Sequence, residues 1–214
     1  MAVDTFIFDC DGTILNTLPD LAALTNGALR EMGFPERSVE EIETFIGHGA
    51  RRLIEQAVPA GCTPEEMEKT LTRWQELYPE YGFTYTKAYE GIPETLAELK
   101  TAGAKLAVLS NKFDAATRSV CENYFPNVFD AVHGERPGIP RKPDPRGLLM
   151  TIDELGSTTD STVYIGDSPV DAEVGRNAGC GTVCVDWGFN PLGNLEAARP
   201  DRIISAPDQL LALL

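Results

Sequence analysis

From about residue 90 onward the chain alternates short apolar runs with stretches of helical spacing. Leu106-Ala107-Val108-Leu109 stops at Ser110-Asn111-Lys112. Val163-Tyr164-Ile165 stops at Gly166-Asp167-Ser168. Phe129 to Val132 and Thr182 to Val185 are further short strands. Helical spacing covers Pro93–Ala102, Asp114–Tyr124, Pro145–Leu155, Pro169–Ala178 and Pro207–Leu214. Gly134 to Pro143 is rich in Gly and Pro and predicts a loop. Such alternation predicts a parallel sheet with helices on both faces.

One more strand belongs to this sheet but stands far away in sequence. The run Val3 to Phe8 ends at Asp9-Cys10-Asp11-Gly12-Thr13. A block with helices and no convincing strand follows, from about Asn16 to Phe83. It holds a helix from Pro19 to Met32 stopped by Gly33, a capping box at Ser38-Val39-Glu40-Glu41, and a helix opened by Thr63-Pro64. The expected fold class is therefore α/β: a doubly wound, Rossmann-like parallel sheet over residues 1–15 and 84–214. A helical cap over residues 16–83 is inserted after the first strand. The expected hinges lie near Leu15–Leu18 and Phe83–Lys87.

Charge and cysteines narrow the function. A formal net charge of −15 argues against nucleic acid or an anionic membrane as the main partner. A phosphorylated small molecule stays compatible, because a bound cation and a few basic residues reverse the field within a pocket. No stretch reads as a signal peptide or a membrane span. The five scattered cysteines form no CxxC pair, so a cytoplasmic setting is expected. Cys10, between two acids, reads as a buried spacer, because neighbouring negative charge disfavours a thiolate.

Four polar clusters fall at strand ends or in the loops beyond them: Asp9/Asp11, Ser110/Asn111, Lys142 and Asp167/Asp171. Open α/β sheets bind ligands at that edge. An EF-hand is set aside because Ile14 stands where the loop needs Gly, and Thr13 where the motif has Asp or Asn. A dinucleotide fingerprint is excluded because Gly12 is the lone glycine in the turn.

In these residues the chain resembles the haloacid dehalogenase superfamily, in its phosphatase branch. Asp9-Cys10-Asp11-Gly12-Thr13 matches the first motif and Ser110 the second. Lys142, in Arg141-Lys142-Pro143-Asp144-Pro145, matches the third. Gly166-Asp167-Ser168-Pro169-Val170-Asp171 matches the fourth. The match spans essentially the whole chain. Gly47-His48-Gly49-Ala50-Arg51 is similar to phosphoglycolate phosphatases within the branch.

The resemblance implies a division of labour. Asp9 would attack phosphorus, and Asp11 would act as acid and then as base. Ser110, the Asn111 amide and Lys142 would hold the phosphoryl oxygens. Mg²⁺ would be held by Asp9, the Asp11 carbonyl and Asp167, with Asp171 behind or through water. His48 or Arg51 of the cap would contact substrate. The expected partner is a small phosphorylated metabolite, with the chain a monomer or homodimer. A sugar phosphomutase of the same fold and a catalytically silent binding module remain as alternatives.

Overall fold

The computed structural model describes residues 3–81 and 83–214. In chain order it shows β1 (Thr5–Phe8), β2 (Leu15–Asn16), and the helices α1 (Leu18–Glu31), α2 (Val39–Glu43), α3 (Gly49–Ala57) and α4 (Pro64–Tyr81). Then come β3 (Lys87–Ala88), α5 (Ile92–Thr101), β4 (Lys105–Phe113), α6 (Asp114–Tyr124), β5 (Ala131–Glu135) and α7 (Arg146–Glu154). The chain continues with β6 (Thr162–Gly166), α8 (Pro169–Ala178), β7 (Gly181–Val185), α9 (Leu192–Ala198) and β8 (Arg202–Ile204). Short 3₁₀ turns lie at Thr159–Ser161 and Pro207–Leu213.

Six strands form one sheet in the order β5-β4-β1-β6-β7-β8, with every pairing parallel. This is the doubly wound α/β architecture the strand–helix alternation predicts. β1 is central because Phe6, Ile7 and Phe8 are all fully buried, as a strand covered on both faces requires. On one face Ile7, Leu109, Tyr164, Leu148, Ile152 and Val174 pack into a shared core. From β1 the chain winds outward through β4 to β5, then returns to the other side of β1 at β6 and winds outward again through β7 to β8. The C-terminal end of β1 is thus a topological switch point, where such sheets bind ligands.

The chain divides into two compact units, Met1–Leu15 with Ala88–Leu214, and Asn16–Lys87. The second junction falls between Lys87 and Ala88, not between residues 83 and 84. Buried Asp20 on α1 explains the shift. Its carboxylate accepts hydrogen bonds from the backbone of Tyr85 (2.9 Å) and Thr86 (2.7 Å), tying that segment to the helical unit. Charge-assisted bonds of this kind contribute about 1.5–3 kcal/mol each. Within the same unit Trp74 of α4 donates to Thr25 of α1 at 3.1 Å.

Several elements differ from expectation. β4 runs on through Ser110, Asn111 and Lys112 to Phe113. Its polar residues are buried, so polarity did not end the strand. β5 starts at Ala131, because Phe129 packs edge-on against Phe8 and Phe125. It includes Gly134, expected in a loop: a Cβ there would lie 2.4 Å from the Lys112 carbonyl oxygen. The C-terminal segment is 3₁₀ and not α-helical. α9 and β8 had no expectation.

Candidate active site

β1 ends at the switch point, and the turn after it is tight. The Cys10 carbonyl accepts from Thr13, Ile14 and Leu15, while Gly12 adopts φ +81°. A side chain at Gly12 would also strike Asp167, 2.4 Å from its Oδ2. Glycine is thus required twice over, by conformation and by the close approach of a carboxylate.

The sheet brings Asp9, Asp167 and Asp171 together from β1, the end of β6 and the first turn of α8. A carboxylate oxygen of each lies within 4.8 Å of the others, and all three residues are buried. Lys142, from the loop before α7, inserts its ammonium among them. It reaches Asp9 Oδ2 at 2.9 Å, Asp171 Oδ1 at 2.7 Å and donates to the Tyr164 hydroxyl at 2.8 Å. That hydroxyl in turn donates to the Leu109 carbonyl at 2.6 Å. Burial disfavours the ammonium, but Asp171 and Asp9 outweigh burial and hold Lys142 above the usual lysine range.

Asn111 acts on Lys142 from outside. Its side chain accepts from the Lys142 backbone N–H at 2.9 Å and donates to the Lys142 carbonyl at 3.2 Å. The carboxamide thereby clamps the backbone from which the ammonium projects. Buried Ser110 accepts from the Lys112 backbone at 3.3 Å.

Asp171 is fully engaged. One oxygen faces Lys142, and the other accepts from the Ser168 backbone (3.0 Å) and hydroxyl (2.6 Å) in a capping box that opens α8. Its carboxyl is nonetheless raised, by burial first and by Asp9, against the opposing pull of Lys142. Asp167 accepts from the Phe189 backbone at 2.8 Å and from the Thr13 hydroxyl at 3.3 Å. Burial, then Asp171 and Asp9, push its carboxyl up to about 8.

That shift tests the site for a cation. Three carboxylates face one ammonium, an excess of two negative charges when all are ionised. An all-oxygen, carboxylate-rich donor set suits a hard divalent ion. Residues and charge therefore fit a hard divalent ion such as Mg²⁺, which carboxylates drawn from Asp9, Asp167 and Asp171 could hold.

Asp11 stands apart from that cluster. The Lys112 ammonium lies 3.0 Å and 3.1 Å from its two oxygens. Lys112 was missed in the sequence because its role rests on a contact across 101 residues. The Trp187-Gly188-Phe189 segment was missed as well. Trp187 donates to the Thr13 carbonyl at 3.0 Å, and Gly188 packs against Asp167. Cys10 is the buried spacer that was expected: its thiol is raised by a hydrogen bond with Cys121, by burial and by Asp11.

His48 and Arg51 belong to the helical unit. His48 is the N-cap residue of α3, and both ends of the Arg51 guanidinium engage Glu68 of α4, one at 3.0 Å.

Residues 6–185 match the family described as haloacid dehalogenase-like hydrolase. The chain belongs to this family. It is also 32% identical to the phosphoglycolate phosphatase of Aquifex aeolicus, over 97% of this chain and 95% of that one. The phosphoglycolate phosphatase of Haemophilus influenzae is 31% identical, covering 97% and 96%. A crystal structure described as a predicted phosphoglycolate phosphatase from Haemophilus somnus superposes with a TM-score of 0.92 at 28% identity, covering 99% and 97%. This haloacid dehalogenase-like hydrolase is thus a phosphatase-type member, phosphoglycolate phosphatase-like in sequence and fold. No helix among the described residues is long and apolar enough to cross a membrane.

Proposed function

We propose that this hydrolase cleaves a small phosphate monoester, with phosphoglycolate the leading substrate, through a phosphoryl group carried on Asp9. The observation that carries the reading is the Lys142 ammonium set between Asp9 and Asp171 beside Asp167. It orients a carboxylate at the switch point and supplies positive charge where phosphoryl oxygens would arrive.

Asp9 has one oxygen accepting from the Cys10 backbone at 2.7 Å and the other on Lys142. A carboxylate pinned at both ends has lost little more freedom by the time it attacks phosphorus. Asp11 donates a proton to the leaving alkoxide and then takes one from the water that cleaves the acyl-phosphate. Ser110, the Asn111 amide and Lys142 hold the phosphoryl oxygens, where stabilisation of charge dominates the barrier. Asp9, the Asp11 carbonyl and Asp167 would hold Mg²⁺, which when bound would neutralise charge so that phosphate can lie beside the carboxylates. A cytoplasmic setting and a monomeric or homodimeric state complete the proposal.

A screen of phosphorylated metabolites with Mg²⁺ tests it, by inorganic phosphate released and kcat/KM. The reading expects phosphoglycolate to rank first, with phosphate appearing in step with substrate loss. Isomerisation of a sugar phosphate without phosphate release would establish a mutase instead, and inactivity on the whole panel would favour a binding module.

A further inference from the structure

Beyond the four motif clusters, one cation sits against the acid/base. We propose that Lys112 binds a carboxylate carried by the substrate on the carbon next to the ester oxygen. It thereby selects α-carboxy phosphate esters over uncharged ones. This rests on the phosphatase reading above and names the residue that would give it its substrate class.

Lys112 follows Ser110 by two residues on β4, so it shares the strand end that would hold the phosphoryl group. Its side chain is 3% exposed, and its ammonium grips both Asp11 oxygens at 3.0 and 3.1 Å. The nitrogen is therefore fixed in space, and already in the geometry that takes a carboxylate. Asp11 itself retains 13% exposure of its side chain.

Asp11 is the group placed to protonate the ester oxygen. In an α-carboxy ester the carboxylate is attached one carbon from that same oxygen. An ammonium about 3 Å from the Asp11 oxygens is consequently within reach of that carboxylate. The need for such a cation follows from the surroundings. Asp9, Asp167 and Asp171 crowd the site with negative charge, and Lys142, set against Asp9 and Asp171, is the cation proposed for the phosphoryl oxygens. A second anionic group on the substrate would be repelled here unless a separate cation received it, and Lys112 is placed to do so.

A lysine that only braced Asp11 would serve every ester alike, so the readout is a ratio. With Mg²⁺, kcat/KM is measured for phosphoglycolate and for ethyl phosphate, the same two-carbon ester without the carboxylate. The enzymes are the wild type, Lys112→Met and Lys112→Arg. The wild type should prefer phosphoglycolate. Lys112→Met should lower that preference at least about tenfold, the loss expected of one charged hydrogen bond. Lys112→Arg, which keeps the charge, should retain more of it than Lys112→Met. Equal losses on both esters in Lys112→Met, or equal ratios in the two variants, would overturn the assignment while leaving the phosphatase reading intact. A wild type with no preference for phosphoglycolate would overturn the substrate reading itself, and the Lys112 role with it.

Discussion

Burial and the neighbouring acids make a charge on Asp167 costly until something offsets it. Its carboxyl is raised from 3.8 to about 8 by burial and by Asp171 and Asp9. Between those values the folded chain keeps a proton that the unfolded chain has lost. Its contribution to stability therefore falls as pH rises through that window. A divalent ion needs Asp167 ionised, so it must displace that proton below about pH 8. The stabilisation given by Mg²⁺ should accordingly grow with pH. The Tm difference between protein in Mg²⁺ and protein in EDTA is expected to be larger near pH 8.5 than near pH 5.5. A gap that is the same at both would contradict the account of Asp167.

At the scale of elements, the site is made by strand ends and closed by a loop. β1, β4 and β6 deliver Asp9, Ser110 and Asp167 to one edge, and the segment after β7 lies across Asp167. A Cβ on Gly188 would stand 2.2 Å from the Asp167 Cβ and 2.5 Å from its Oδ2. Something must move, and the Phe189 amide that holds Asp167 moves with it. Gly188→Ala should raise the Mg²⁺ concentration for half-maximal activity by about tenfold or more. A metal titration of the initial rate checks this, and an unchanged midpoint would remove the loop from the site.

Elements also show what the sequence could disclose. The runs around Phe6–Phe8, Leu106–Leu109 and Val163–Ile165 were legible because a strand buried on both faces must be apolar throughout. β8 was not legible: it has three residues and begins with exposed Arg202. The charged clusters were legible as strand-end polarity, since an acid directly after a buried strand has few structural reasons to be there. Gly188 and Tyr164 were invisible for the opposite reason. A glycine acts through the space it leaves, and Tyr164 acts through a hydroxyl bonded to Lys142 and Leu109, which no local pattern encodes.

For the whole molecule, a net charge of −15 and the proposed anionic substrate are reconciled by concentrating cations where they matter. Lys142 and Lys112 are both nearly buried, each set against carboxylates. The remaining excess of negative charge around Asp167 is what a divalent ion would answer. Lys142, the switch point and the acid cluster thus all support the proposal that Asp9 receives the phosphoryl group. The most direct measurement is steady-state phosphate release from phosphoglycolate at saturating Mg²⁺, comparing the purified wild type with Asp9→Asn. The account predicts rapid release by the wild type and a loss of at least about 1,000-fold in Asp9→Asn, which remains folded. Asp9→Asn that turns over at a rate near the wild type would contradict it.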